Sequence, residues 1–147
     1  MEAHMIHFWA VLALILAGAG TTLGQWILVI KAMDILWRNP RIYQSLLIFT
    51  ILSIALVEAS AIYGLITALK ISGAGKDIWT SLAAGLAVGI PCFLVGYIEW
   101  KVAAEALEAM NRNPENTNSV LQLMILTMAL IEAVAIYGLV VAFKLLA

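Results

Sequence analysis

Leu56-Val57-Glu58-Ala59-Ser60-Ala61-Ile62-Tyr63-Gly64-Leu65 and Leu130-Ile131-Glu132-Ala133-Val134-Ala135-Ile136-Tyr137-Gly138-Leu139 lie 74 positions apart in one chain of 147 residues. At the same offset Arg38-Asn39-Pro40 falls on Arg112-Asn113-Pro114. From Arg38 to Lys70, 18 of 33 positions are identical to those 74 further on. Shared hydrophobicity does not produce such a match, because the matching residues include Arg, Asn, Pro, Glu, Tyr and Lys. The chain is an internal duplication.

The segments around these motifs are apolar on a scale that soluble domains do not reach. The chain is 64% hydrophobic and 12% charged, with a mean hydropathy of +1.02. Ordinary globular domains are about 45–50% apolar and about 25% charged. A helix that crosses the hydrocarbon core needs about 20 mostly apolar residues. Four stretches meet that length: Phe8 to Ile30, Leu46 to Leu69, Ile78 to Ala104 and Val120 to Leu146. In lipid only helices and closed barrels satisfy the backbone. Long runs without period-two alternation predict helices. The expected fold is therefore an all-α membrane protein with four transmembrane helices in two tandem hairpins. The first hairpin is residues 1–72, the linker 73–77 and the second hairpin 78–147.

The first apolar run is read as a span, not a leader peptide. A leader has a basic start and a short apolar core. Here the first seven residues hold Glu2 and no Lys or Arg, and the apolar run is longer. Arg38-Asn39-Pro40 and Arg112-Asn113-Pro114 read as hairpin tips, since proline fixes φ and cannot continue a helix interior. Ser72-Gly73-Ala74-Gly75-Lys76-Asp77 reads as a connector. Four spans place both tips on one side. Lys31, Arg38, Arg41, Lys101 and Arg112 lie toward the tips, and Lys70, Lys76 and Lys144 toward the other side. That bias puts the tips in the cytoplasm.

A net charge of −1 gives no basic surface for nucleic acid. The single cysteine, Cys92, has no internal disulfide partner and no ligand-spaced neighbours, and His4 and His7 read as terminal surface residues. No metal site and no cofactor are expected.

The residues that carry chemistry are Glu58 and Glu132, each near the middle of a span. A charge there costs about 2.5–3.5 kcal/mol even on lenient insertion scales. Burial favours the neutral acid. A single such residue fits a structural hydrogen bond. Two at equivalent repeat positions fit ion carriage. Gln25 lies 15 residues before Pro40, and Glu58 lies 18 after it. At 1.5 Å per residue these are about 22 and about 27 Å from the tip, so the two side chains share a depth. An amide serves either protonation state of a carboxyl. In the second hairpin the equivalent of Gln25 is Glu99, and Trp26 and Trp100 follow in register. Glu99 is therefore expected beside Glu132. Tyr63 and Tyr137 each follow a glutamate by five residues. That is too far round the helix for a contact within it, so a carboxyl across a helix interface is their expected partner. Gly18, Gly20 and Gly24 in the first span, and Gly85, Gly89 and Gly96 in the third, predict close helix packing. Pro91 predicts a kink in the third helix.

These motifs resemble the c subunit, or proteolipid, of rotary ATP synthases. The tips are similar to that family's Arg-Gln/Asn-Pro loop, and the two Glu-Ala-x-Ala-Ile-Tyr-Gly-Leu stretches to its ion-binding helix. Gly18, Gly20, Gly24 and Gln25 resemble part of its glycine-rich first helix. The resemblance covers nearly the whole chain, twice, where the usual c subunit is a single hairpin. Doubled chains are typical of vacuolar-type and archaeal-type rings, many of which have lost one carboxylate, whereas both are present here.

The resemblance implies a homo-oligomeric ring in lipid, non-catalytic itself. Such a ring works against a stator a subunit and carries the central-stalk subunits gamma and epsilon on Arg38, Asn39, Pro40, Arg112, Asn113 and Pro114. It implies ion binding at Glu58, Glu132, Gln25, Glu99, Tyr63 and Tyr137. The expected setting is a bacterial inner (plasma) membrane.

For the ion, the resemblance implies a hydroxyl residue directly after the glutamate in sodium-binding members. Ala59 and Ala133 stand there, so the proton is the expected ion. Sodium stays open as the alternative, because Glu99 sets a second carboxylate beside Glu132 and Ser60 offers an oxygen in the first hairpin. A small four-helix proton-coupled exporter is a further alternative. It would need neither two Arg-Asn-Pro tips on one side nor a glutamate in each parallel hairpin.

Overall fold

The computed structural model describes residues 2–147, with side chains from His4 onward, and is helical nearly throughout. Four helices follow in order: α1 (Glu2–Arg38), α2 (Tyr43–Gly73), α3 (Ile78–Arg112) and α4 (Thr117–Leu145). All four are long and apolar enough to cross a membrane. Two hairpins stand in tandem, α1–α2 and α3–α4. The most extensive pairing is between α1 and α3, the first helix of each hairpin. α2 packs on α1 and α3 and also reaches α4.

The helices outrun the apolar windows. α1 has 37 residues, about 55 Å of helix against a hydrocarbon core of about 30 Å. Beyond Ile30 the chain stays helical because its polar residues pair along and between helices. Arg38 reaches Asp34 at 2.9 Å on its own helix and Glu108 of α3 at 3.2 Å, and Lys31 meets Glu108 at 3.0 Å. Pairs at i,i+4 support an exposed helix surface.

The two tips have nearly the same geometry, as the repeat requires. Asn39 (φ −143°, ψ 77°) and Asn113 (φ −141°, ψ 85°) leave the helical region just before proline. A residue before proline is pushed out of the α conformation. Each proline opens one short 3₁₀ turn, Pro40–Ile42 and Pro114–Asn116. The tips are tied together: Asn39 Nδ2 donates to Asn111 Oδ1 at 3.1 Å.

Between the hairpins, Gly75 has φ +62°, a left-handed conformation that costs glycine little. Asp77 then caps α3. Its Oδ1 accepts the Trp79 and Thr80 amides at 2.9 and 3.1 Å, and its Oδ2 accepts the Thr80 hydroxyl at 2.6 Å. The Thr80 hydroxyl and these amides hold the Asp77 carboxyl below its usual range.

Glycine sets the α1–α3 distance. A Cβ on Gly20 would overlap the Phe93 carbonyl, and one on Gly24 would lie 2.5 Å from the Gly96 carbonyl. One on Gly96 would lie 2.9 Å from the Thr21 amide. Gly85 and Gly89 also face α1, at Trp9, Ala13 and Leu16. Gly18, in contrast, meets nothing within 4 Å. Pro91 sits inside α3, which remains a single helix from Ile78 to Arg112, so the proline does not break it. Its ring lies beside the Gly138 position of α4.

Two apolar clusters fill the bundle. One, toward the tips, holds Leu28, Ile35, Phe49, Val57, Leu107, Met110, Met124 and Met128. The other, toward the termini, holds Ala17, Ile71, Val88, Cys92, Val95 and Ala135. Glu58, Glu99 and Glu132 fall at the level where the two clusters meet.

Gly20→Ala should destabilise the α1–α3 pairing by about 1–3 kcal/mol, the usual cost of overpacking, and Gly18→Ala should be neutral. Thermal unfolding in mild detergent reads both, and equal effects would contradict the packing. Because the Asp77 carboxyl is held low, its cap is complete at neutral pH and is lost only as pH falls through that depressed value. Amide exchange at Trp79 and Thr80 should rise there, and an Asp77→Asn variant should show no such step.

Candidate ion-binding site

The first hairpin places Gln25 against Glu58, as their common depth predicts. Gln25 Nε2 donates to Glu58 Oε2 across the α1–α2 interface. Glu58 itself lies on the exposed face of α2. Thr21, one turn before Gln25, ties the same two helices together: its hydroxyl reaches the Ala17 carbonyl at 3.0 Å and the Val57 carbonyl at 3.4 Å. Among the described residues the Glu58 carboxyl thus has one hydrogen-bond partner, and its other side is open.

The second hairpin is built differently. Glu132 is half-buried and Glu99 is fully buried. The two carboxyl groups face each other between α4 and α3. Neither oxygen of Glu99 has a hydrogen-bond partner, nor does Glu132 Oε1. The Ser60 hydroxyl, buried on α2, donates to Glu132 Oε2 at 3.4 Å. Tyr63, also on α2 and half-buried, turns its hydroxyl toward Glu132. Three helices from both hairpins therefore converge on Glu132.

Two carboxylates this close in an apolar interior do not both ionise, and sharing a proton is the usual outcome. A proton on either acid gives it a donor, which answers one of the unpartnered oxygens. Among the described residues no group of three or more His, Cys, Asp or Glu is placed to hold a metal ion.

The structure brings together most of the residues singled out from the sequence, with one change of partner. Ser60 does not serve the first hairpin, as its sequence position suggests. It turns to Glu132 of the second, because α2 packs against both α3 and α4. Tyr63 lies beside Glu132 of α4, across a helix interface. Among the described residues Tyr137 makes no hydrogen bond to a carboxyl, and it is 65% exposed. At the tips, Pro40, Asn113 and Pro114 are exposed, Asn39 is half-buried, and Arg38 and Arg112 keep much of their surface while pairing with Glu108 and Glu105. The ion-pair network of Lys31, Asp34, Arg38 and Glu108 is not foreseen by hydropathy. Its one signal in the sequence is the Asp34–Arg38 spacing of four.

Comparison with known proteins agrees with this architecture. The family described as the ATP synthase C subunit matches residues 8–71 and again residues 82–145, one match for each hairpin. The chloroplastic ATP synthase c subunit of Cyanidioschyzon merolae is 42% identical over 65 residues, which is 44% of this chain and 80% of that protein. The chloroplastic c subunits of Cyanidium caldarium and Galdieria sulphuraria are each 42% identical over the same length, covering 79% and 78% of those proteins. Four membrane-crossing helices in two hairpins, with a family match on each, show that the chain belongs to the ATP synthase C-subunit family as an integral membrane protein in duplicated form.

Proposed function

We propose that the chain is the ion-carrying rotor subunit of a rotary ATP synthase, with Glu58 and Glu132 as its two carriers. One observation carries this reading: each copy of the hairpin sets a carboxyl at mid-span on its second helix, opposite a polar side chain of its first. Copies of the chain close into a ring in lipid. Each glutamate takes up an ion from the stator a subunit, crosses the lipid neutral and gives the ion up again. The stator's own charge drives that release. The tips, Arg38-Asn39-Pro40 and Arg112-Asn113-Pro114, carry the central-stalk subunits gamma and epsilon. The chain catalyses nothing itself.

The chemistry of the carboxyls favours this role. A group that is stable when loaded and costly when bare can pass through lipid only when loaded. The amide of Gln25 can donate to the ionised form of Glu58 or accept from the acid. Glu99 does the corresponding work for Glu132 by exchanging a proton with it.

The proton is the ion we assign. Among the described residues Glu58 has a single hydrogen-bond partner, Gln25, and the side chains of Ala59 and Ala133 supply no oxygen beside either glutamate. A hard cation needs several oxygen ligands, whereas a proton needs one. One observation favours sodium as the second reading: Ser60, Tyr63, Glu99 and Glu132 gather several oxygens at one point. The expected bacterial plasma membrane draws no support from relatives that are chloroplastic, and the rotor role does not depend on it.

Glu58→Gln and Glu132→Gln each remove one titratable group per chain, and either should abolish proton-coupled ATP synthesis in membrane vesicles. Full coupling in the Glu132→Gln variant would make the second hairpin structural. Carbodiimide, which modifies protonated carboxyls, separates the ions. Labelling of Glu58 and Glu132 at fixed pH should be indifferent to sodium. Protection by sodium would overturn the proton assignment.

A further inference from the structure

We propose that the two tips of the chain have different tasks. The arginine and asparagine of the first tip brace hairpin one against hairpin two, and those of the second are left free to bind a carboxylate-bearing segment of the central stalk. The inference rests on the rotor reading above and divides its tip surface between the two hairpins.

The duplication equips both tips alike. Arg38-Asn39-Pro40 and Arg112-Asn113-Pro114 are identical, and each arginine has a carboxylate four residues earlier on its own helix, Asp34 and Glu108. That spacing suits an ion pair within the helix in both copies. The structure forms one of the two. Arg38 meets Asp34 at 2.9 Å. Glu108 instead meets Lys31 and Arg38 of α1, at 3.0 and 3.2 Å. Arg38 thus holds two carboxylates, one from each hairpin, and Arg112 has lost the one that its spacing offers. Among the described residues the ion pair left to Arg112 is Glu105 at 3.9 Å, beyond hydrogen-bond reach, with the two side chains 65% and 83% exposed.

The asparagines divide in the same way. Asn39 is half-buried, and its Nδ2 donates to Asn111 Oδ1 across the hairpin boundary. Asn113 is exposed, and its side chain does not cap the turn beside it. The repeat position that corresponds to Asn111 is Trp37, whose side chain has no oxygen to accept an amide hydrogen.

The second tip therefore presents a guanidinium and an amide on adjacent exposed residues. The 3₁₀ turn Pro114–Asn116 follows them, and the Thr117 hydroxyl donates to the Pro114 carbonyl at 2.6 Å. A guanidinium without a bonded anion offers a planar fork of donors that fits a carboxylate at two points. Phosphate has the same chemistry, but the depth favours protein. Arg112 lies eight residues past Ala104, where the apolar run of α3 ends. That is about 12 Å of helix, more than the thickness of one headgroup layer. Arg41 is exposed as well, but it lies outside the duplicated triplet, where the second tip has Glu115.

Arginine modification by phenylglyoxal, read by mass spectrometry, tests the division. In the isolated protein Arg112 should react faster than Arg38, and in the complete enzyme Arg112 should be protected. Equal rates in the isolated protein would overturn the brace, and an Arg112 that stays reactive in the complete enzyme would overturn the docking. Protection of Arg112 in phosphatidylglycerol vesicles without stalk subunits would assign the tip to lipid and contradict the proposal. Binding of purified gamma and epsilon subunits to the protein in membranes gives a second measure. Arg112→Gln should weaken it by about tenfold or more, the range of a hydrogen bond to a charged group. Arg38→Gln should leave it unchanged and lower the thermal stability of the protein. Arg41→Gln should also leave it unchanged, and a loss there as large as in Arg112→Gln would mean general charge attraction and contradict the site. Equal losses in Arg38→Gln and Arg112→Gln would overturn the division and leave the rotor reading standing. No binding of gamma and epsilon to the wild-type protein would sink the rotor reading and the division with it.

Discussion

A carboxyl group at mid-depth in a bilayer is the constraint on which the rest of this structure depends. Left ionised in lipid it costs several kcal/mol, on the order of a whole domain's margin of stability. The fold answers by pairing each glutamate with a polar group at its own depth. That pairing demands two helices in register, which the two Asn-Pro tips provide by ending and restarting the chain with nearly the same dihedrals. It also demands that the two helices of each hairpin lie close, which Gly64 secures against Ala17 of α1 and Gly138 against the Ala87 carbonyl of α3. Apolar clusters above and below the carboxyl level seal it off from both ends.

The duplication has not kept its two halves equal. Glu58 has an amide partner, and Glu132 has a second acid, a serine and a tyrosine around it. Under the carrier reading proposed above, a carboxyl bonded to an amide and a carboxyl facing another acid would hold an ion by different chemistry. A fused pair is free to let its two halves diverge. The first-helix partner differs by one substitution, Gln25 against Glu99, whereas the serine and tyrosine reach Glu132 because α2 packs on α3 and α4.

Depth is legible in the sequence, and direction round the helix axis is not. Residue counts from Pro40 and Pro114 locate Gln25, Glu58, Glu99 and Glu132 along the membrane normal, because helical rise is nearly constant. Hence the four spans, the tips and both partner pairings can be read before any coordinates. Counting does not say which neighbour a side chain meets, since that depends on how one hairpin turns toward the next. Ser60 and Tyr63 therefore pair with Glu132 across the hairpin boundary, although Ser60 reads as a first-hairpin residue. The helix ends are also hidden. Hydropathy stops at Ile30 and Ala104, whereas α1 and α3 run on to Arg38 and Arg112. Ion pairs hold those last turns, and an apolar window is blind to them.

The proposed pair of carriers has meaning only in an assembly that turns. The mass of the intact protein in mild detergent therefore tests the rotor role most directly. One large, stable species is expected, with a mass that is a single whole-number multiple of the 15.9 kDa chain. A monomer, or a dimer that grows no further, would contradict it.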